Sequence, residues 1–156
     1  MPFVSRLRPE LIRIAPPWRT LPETVRGLVD LFDAGALPAP LRDTAVTAVI
    51  AREAESSTAL LDIAVGVPHA RLAGLTRSIV ALAVSRAGLY EAVPTVGVQI
   101  VALVLSPGDS GTEHLDILAG IATLLRSTRL RNDLLSAADG RAALLALHHH
   151  ARSGLG

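Results

Sequence analysis

The chain contains no cysteine and no lysine, and aromatic residues make up only 3% of its 156 residues. Without cysteine it can form neither a disulfide, nor a thiolate metal site, nor a cysteine nucleophile from its own residues. All 15 basic residues are arginines scattered along the chain, and the formal net charge is +1, so the clustered charge of a nucleic-acid-binding surface is missing. With 50% hydrophobic residues and so few aromatics, the core must be built from alanine, valine, leucine and isoleucine.

Long apolar runs are also missing. The longest, residues 93–105, contains Pro94, Thr95 and Gln99 and is far shorter than the roughly 20 residues that span a bilayer. Residues 1–13 interleave arginines with apolar side chains and lack the apolar segment of a secretory signal. We therefore expect a cytoplasmic protein that does not insert into a membrane.

The length suits one domain with a substantial core. We expect an N-terminal arm at residues 1–10, a single domain at 11–150 and a C-terminal tail at 151–156.

Hydrophobic periodicity predicts helices towards both ends of the chain. After a short strand at 11–14, the first helix should begin at a capping box formed by Thr20 and Glu23 and end at Gly35, and a second helix should run from Pro40 to about residue 55. C-terminal helices are expected near residues 112–125, 130–137 and 141–149.

The middle of the chain predicts strands. Three apolar, β-branched segments, at 63–67, 78–84 and 96–105, are typical of strands covered on both faces, and 106–111 reads as a loop. We expect Thr112 to cap the following helix and Leu115 to lie on its apolar face. Buried strands between helices predict an α/β fold, a three-layer sandwich in which a mixed, mostly parallel β-sheet is flanked by helices on both faces.

His69 is the first candidate for chemistry. It follows the apolar segment 63–67 and Pro68, so it should lie just past the end of a buried strand, where open α/β sheets bind ligands. A free imidazole has a pKa of about 6.5, and its neutral form can attack phosphorus and later release the phosphoryl group. A histidine that merely packs at a strand end would carry the same Pro-His dipeptide, so this pair alone does not decide.

Further groups can act on the same phosphoryl group. Arg52 has a planar guanidinium that matches phosphate oxygens, although a solvated arginine at a helix end is an equally ordinary role. The hydroxyls of Ser57 and Thr58 can bind phosphate or cap the next turn. His114 can hydrogen-bond a phosphate beside His69, or can be a polar residue at a helix N-terminus.

The remaining motifs do not indicate a metal site or another catalytic site. The histidine run 148–150 is assigned to a solvated helix end, because consecutive helical residues face different directions and few carboxylates stand nearby. No Gly-x-Ser-x-Gly, Gly-x-Gly-x-x-Gly or Walker-type loop occurs, which disfavours a serine hydrolase and a nucleotide-binding protein. No metal and no cofactor are therefore expected.

Together, these residues resemble the enzyme IIA domain of the fructose/mannitol class of the bacterial phosphoenolpyruvate-dependent sugar phosphotransferase system, including its nitrogen-related regulatory branch. The family pattern is an Arg-Glu pair, a Ser-Thr pair, an apolar run that contains glycine and ends in Pro-His, and a later His-Leu that opens a helix. The corresponding residues here are Arg52-Glu53, Ser57-Thr58, Ile63 to His69, and His114-Leu115. The resemblance extends from about residue 11 to the C-terminus.

The resemblance implies a phosphotransferase step. His69 would accept a phosphoryl group from an HPr-like protein and pass it to a cysteine of a separate enzyme IIB, or its phosphorylation state would serve regulation. Arg52 and His114 would stabilise the phosphoryl group, assisted by Ser57 or Thr58. The alternative is an interaction module that keeps the fold and binds a transporter or regulator without being phosphorylated. For the carrier, both imidazoles should face each other across a shallow surface site within reach of the Arg52 guanidinium.

The chain departs from the family pattern around the candidate nucleophile. The family usually has Gly, Ala and Gly where this chain has Ala64, Gly66 and Ala70. One extra residue also stands between Thr58 and His69, and Asp62 lies in this insertion. A carboxylate there would repel phosphate if it pointed inward, whereas a loop position would face water.

Overall fold

The structure is a computed structural model that describes residues 3–153. Two short 3₁₀ turns, Val4–Arg6 and Pro9–Leu11, precede the first strand. The helices and strands in chain order are β1 Ile12–Ile14, α1 Leu21–Val29, α2 Ala39–Glu55, β2 Val65–Gly66, β3 His69–Leu72, β4 Ile79–Val84, β5 Tyr90–Val93, β6 Val96–Val98, β7 Ile100–Pro107, α3 Thr112–Leu125, α4 Thr128–Leu135 and α5 Gly140–Ser153.

Five strands form the main sheet, in which β4 joins β1 to β7, and β2 and β3 follow one another along the other edge of β7. The pairs β1–β4, β2–β7 and β3–β7 are parallel, and only β4–β7 is antiparallel. Every residue of β4 is buried, so both faces of the sheet are covered there. Helices α1 and α2 contact each other and pack on β4 and β3, whereas α3 to α5 pack in succession and contact β7 and β1. The predicted three-layer α/β sandwich is confirmed.

The strand that leads to His69 is interrupted. Only Val65–Gly66 of the predicted strand 63–67 pairs with β7, and His69 opens a new strand opposite Val104, so its expected position beyond a strand end is wrong. Pro68 faces β7, where its carbonyl accepts from the amide of Val104 at 3.1 Å, but it has no amide hydrogen for the ladder. The amide of Val67 faces the other side and donates to the hydroxyl of Thr58 at 3.1 Å. The site therefore lies along the edge of β7 and not past the end of a strand.

The predicted strand 96–105 is two strands in two sheets. Residues Val96–Val98 pair with β5 in a separate hairpin, whereas β7 begins at Ile100. The chain changes partner at Gln99, whose amide donates to the carbonyl of Ala64 at 2.8 Å. The segment is apolar on both sides of Gln99, and these shared residue types do not show that its two parts belong to different sheets.

Several predicted boundaries are also corrected. Ser106 is not in a loop but buried within β7. Gly111, with φ of 59°, precedes α3 in place of Thr112, and Leu115 is 58% exposed. Helix α1 ends at Val29, well before Gly35, because the chain turns there and buries Phe32 on the core.

The N-terminus of α1 is capped by Thr20 as predicted, but the hydrogen bond accepted by Glu23 differs from the prediction by one residue. The Thr20 hydroxyl accepts a hydrogen bond from the amide of Glu23 at 3.1 Å, as an N-cap should. The Glu23 carboxylate accepts from the amide of Arg19 at 3.1 Å, one residue earlier than in a capping box.

The ends of the described chain belong to the packed structure. Phe3, Val4 and Leu7, within the expected N-terminal arm, are buried in the core, and α5 continues to Ser153 within the expected tail. The remainder of these two segments, residues 1–2 and 154–156, lies outside the described residues. Among residues 3–153, no helix combines the length and apolar character needed to cross a membrane.

Ala64 and Gly66, where this chain has alanine for glycine and glycine for alanine relative to the family pattern, differ in their physical consequences. Ala64 adopts a left-handed backbone with φ of 55°, which a glycine would adopt without a Cβ penalty. Its carbonyl accepts hydrogen bonds from Gln99 and Ile100, so this conformation is held from outside. At Gly66, an added Cβ would collide with the hydroxyl of Tyr90, which is buried without a hydrogen-bond partner among the described residues.

Ala64→Gly should stabilise the protein, because it removes the left-handed strain at a position where the backbone is already fixed. The strain relieved exceeds the extra freedom that glycine gives the unfolded chain, so we expect a gain of roughly 0.5 to 1 kcal/mol in the free energy of unfolding. Urea denaturation followed by circular dichroism measures it.

Ala51→Gly is the matched control, since Ala51 is exposed and helical within α2. This substitution should cost about 1 kcal/mol. If Ala64→Gly destabilises the protein as much as Ala51→Gly does, Ala64 carries no left-handed strain.

Candidate functional site

Two histidines and two arginines open onto one cleft at the edge of the sheet. Its volume is about 540 Å³. The lining residues are Arg52, His69, Ala70, Arg71, His114, Leu115 and Leu118. Three separate elements supply the polar groups, namely the last turn of α2, the strand β3 and the first turn of α3.

His69 is oriented by the backbone beside it. Its Nδ1 lies 2.8 Å from the carbonyl oxygen of Val67. Because a carbonyl can only accept, Nδ1 carries the proton of the neutral ring and Nε2 keeps its lone pair. The Nε of Arg52 donates to that Nε2 over 3.4 Å, which agrees with this tautomer.

Arg52 reaches the site from the end of α2. The helix packs against β3, so the last turn lies beside His69. Within residues 3–153, its two terminal amino groups have no protein partner, and no carboxylate forms an ion pair with it. A guanidinium in this state can bind the oxygens of an anion held at Nε2 of His69.

His114 faces His69 from the opposite side of the cleft. The two ring centroids are 5.2 Å apart, with planes inclined at 59°. His114 is only 3% exposed, and its Nδ1 lies 2.7 Å from Oγ of Ser106. Burial, with smaller contributions from His69, Arg71 and Arg52, lowers the pKa of His114 to about 4. The ring is therefore neutral at neutral pH.

Arg71 is a site residue that the sequence reasoning missed. It stands two residues after His69 in β3, and alternate residues of a strand share a face, so the strand period was a usable signal. Its guanidinium donates to Oγ of Ser110 at 2.8 Å and to the carbonyl of Gly111 at 3.2 Å. These neutral partners orient the group and leave its charge uncompensated.

The two predicted hydroxyls have local partners and do not line the cleft. Thr58 bonds the buried carboxylate of Glu53 through both its amide and its hydroxyl, and the same hydroxyl accepts from the amide of Val67. Oγ of Ser57 accepts from the amide of Ala59 at 3.2 Å, an ordinary capping contact. Phosphate binding by Ser57 and Thr58 remains a prediction, whereas the structure gives Thr58 a direct part in holding the segment before His69.

The inserted carboxylate points away from the cleft. Asp62 forms an ion pair of 2.9 Å with Arg126, and 66% of its side chain is exposed. It faces water, so it does not place a negative charge beside His69.

The assignment of the histidine run 148–150 to a solvated helix end is wrong for His150, which is 9% exposed and pairs with Asp133 at 2.9 Å. His149 is exposed, as expected. Within residues 3–153, no three histidine, aspartate or glutamate side chains come together as metal ligands would.

Comparisons with known proteins identify a family. Residues 7–149 match the family model described as the phosphoenolpyruvate-dependent sugar phosphotransferase system, EIIA 2. The PTS system fructose-specific EIIA component of Haloferax volcanii is 31% identical over 137 residues, which cover 86% of this chain and 87% of the relative.

Two solved structures share the fold. Nitrogen regulatory protein IIA-Ntr from Neisseria meningitidis superposes with a TM-score of 0.80 at 20% identity, over 92% of this chain and 97% of that one. A chain of the complex of enzyme IIA mannitol and phosphorylated enzyme IIB mannitol from Escherichia coli gives 0.72 at 16% identity, over 92% and 97%. Because the family model matches most of the chain and the curated relative supports the same assignment, the chain belongs to the EIIA 2 family of the phosphoenolpyruvate-dependent sugar phosphotransferase system.

Proposed function

We propose that this protein is a phosphohistidine carrier, in which Nε2 of His69 accepts a phosphoryl group from an HPr-like protein. One observation carries the proposal: the Val67 carbonyl holds the proton on Nδ1, so the Nε2 lone pair faces the cleft beside Arg52. A nitrogen that is already unprotonated needs no general base to activate it.

The transfer balances without an added proton. The Nε2 lone pair of His69 forms a bond to phosphorus while the phosphorus–nitrogen bond of the donor phosphohistidine breaks, and that electron pair returns to the donor imidazole. The Nδ1 hydrogen bond to Val67 persists and stabilises the positive character that the His69 ring acquires. Arg52 and Arg71 lie on the same cleft, where their charges stabilise the phosphoryl oxygens.

His114 serves as a neutral partner of the phosphoryl group. With a pKa of about 4 it contributes no charge at neutral pH, but its ring still has one N–H to donate. Ser57 and Thr58 are proposed only as secondary groups, since both hydroxyls already have local partners.

The onward step requires a second protein. The chain has no cysteine, so a thiolate that removes the phosphoryl group must come from elsewhere. The structural relative from Escherichia coli was solved with phosphorylated enzyme IIB mannitol, which supports an enzyme IIB-like protein as the partner, and we propose that a cysteine of that protein accepts the phosphoryl group. We place this exchange in the cytoplasm, where it supports sugar transport or regulates a target protein through phosphorylation.

His69→Ala should abolish phosphorylation, because it removes the attacking nitrogen. Incubation with phosphoenolpyruvate, enzyme I and the native HPr should add one acid-labile phosphoryl group to the wild type, seen by intact mass and lost on acid treatment. His149→Ala, which changes an exposed histidine, should be phosphorylated like the wild type.

A second test of the carrier function removes one positive charge from the cleft. Arg52→Gln should slow phosphorylation by about a hundredfold, the usual loss when one preorganised group on a developing anion is removed. A wild-type protein that stays unmodified while its HPr is fully phosphorylated would contradict the carrier and favour the interaction module.

His114 should make the folded protein less stable in acid. The unfolded chain protonates this ring at the ordinary pKa of 6.5, whereas the folded protein resists until about 4. Stability present above about pH 6.5 should therefore decline as the pH falls towards about 4. Urea midpoints measured across this range test it.

His114→Gln is the comparison that isolates this ring from the other histidines. Its urea midpoint should fall less than that of the wild type over the same pH range. Parallel pH profiles for the two proteins would show that His114 titrates normally.

A further inference from the structure

We propose that Ser106, aided by Ser78, is a positioning residue that fixes which nitrogen of His114 carries the proton, so that Nε2–H faces the phosphoryl group on His69. The inference deepens the carrier function proposed above and rests on it for its catalytic meaning. Its structural content stands separately, because the proton of His114 has a position whether or not His69 is phosphorylated.

Three buried side chains form a hydrogen-bonded series behind the cleft. Oγ of Ser78 donates to Oγ of Ser106 at 2.9 Å, and Ser106 lies 2.7 Å from Nδ1 of His114. The three residues are 2%, 0% and 3% exposed, respectively. Water therefore cannot substitute freely for any of these partners, and each group depends on the next.

The direction of the last hydrogen bond follows from counting protons. The two serine hydroxyls bring two hydrogens to this series, and each buried hydrogen needs an acceptor. If Nδ1 of His114 carried a proton and donated it to Ser106, a hydroxyl hydrogen of Ser106 or of Ser78 would have no acceptor within the series. Both hydrogens are used when Ser78 donates to Ser106 and Ser106 donates to an unprotonated Nδ1, so the proton of the neutral ring resides on Nε2.

The other ring nitrogen opens onto the cleft. His114 lines it, and with Nδ1 turned towards Ser106, Nε2 is the nitrogen left for a ligand. Nε2 is not one of the buried, unpartnered side-chain atoms among residues 3–153, so it retains contact with solvent. A donor placed there, across from His69, matches an acceptor such as a phosphoryl oxygen.

Arg6 contacts residues in and next to this hydrogen-bonded series. Its guanidinium donates to the backbone carbonyl of Ser78 at 3.3 Å and to the carboxylate of Glu113 at 2.6 Å. Glu113 adjoins His114, so one side chain from the first 3₁₀ turn connects the start of β4 with the first turn of α3.

The low pKa of His114 agrees with this arrangement. A hydrogen bond donated to Nδ1 favours the neutral ring, in addition to the burial and positive neighbours that already lower the pKa. If Ser106 only filled space in the core, it would not determine which nitrogen of His114 carries the proton.

The decisive experiment reads the ring of His114 by ¹⁵N nuclear magnetic resonance in the unphosphorylated, full-length protein. Wild type should show a protonated Nε2 and an unprotonated Nδ1. Ser106→Ala should give a mixture of the two tautomers and raise the pKa of His114 towards its ordinary value. A wild-type ring protonated on Nδ1 would overturn the proposal.

Kinetics then separates positioning from binding. Ser106→Ala should slow phosphoryl transfer from HPr about tenfold, the equivalent of one ordinary hydrogen bond, while the KM for HPr stays unchanged. Ser106→Thr should restore both the tautomer and the rate. Ser78→Ala should change both in the same direction but less, since Ser106 keeps its own hydroxyl.

Ser85→Ala is the matched control, because Ser85 is also a buried serine but lies outside this series. It should leave the His114 tautomer and the transfer rate unchanged. If Ser106→Ala does not fold, Ser78→Ala and Ser106→Thr decide by the same two measurements. A wild type that cannot be phosphorylated would refute the carrier function, but its His114 spectrum would still confirm or reject the role of Ser106.

Discussion

The hydrogen bond from Nδ1 of His69 to the carbonyl of Val67 is the interaction on which the site depends. It uses a backbone group on the outer edge of the sheet. β2 and β3 pair with β7 in one register, and the carbonyl of Pro68 accepts from the amide of Val104, so the preceding residue, Val67, faces away from β7. An acceptor on this free edge therefore decides which nitrogen of the imidazole keeps its lone pair.

Polar contacts support the same edge just before His69. The amide of Val67, which faces away from β7, donates to Thr58, and Thr58 is held by the buried carboxylate of Glu53. Glu53 belongs to the same helix turn as Arg52, so one turn of α2 both fixes the segment before His69 and delivers a charge to it. An unpaired buried carboxylate is costly, which makes this support sensitive to loss of Thr58.

Hydrophobic periodicity predicted those parts of the fold that depend on which residues are buried. The order of helices and strands and the layered α/β arrangement were readable, because β4 and β7 are almost wholly apolar and therefore covered on both faces. The split at Gln99 and the strand at Ser106 were not, since backbone partners and not residue types decide where an apolar run changes sheet. Leu115 shows the same limit, because an apolar residue at helical spacing can still be 58% exposed.

The sequence indicated three of the residues that line the cleft but not the residues that support them. Arg52, His69 and His114 were identifiable because their chemistry suits phosphate and their order matches the family pattern. Arg71 was overlooked, although its spacing from His69 placed it on the same face. The roles of Ser106 and Thr58 depend on contacts between residues distant in sequence, so only the folded chain reveals them.

The assembly of the cleft from α2, β3 and α3 has a practical consequence. None of these elements holds a complete set of groups, so a partly unfolded species that detaches either helix also loses the cleft. Any activity that the cleft carries therefore measures the fraction of molecules whose fold is intact.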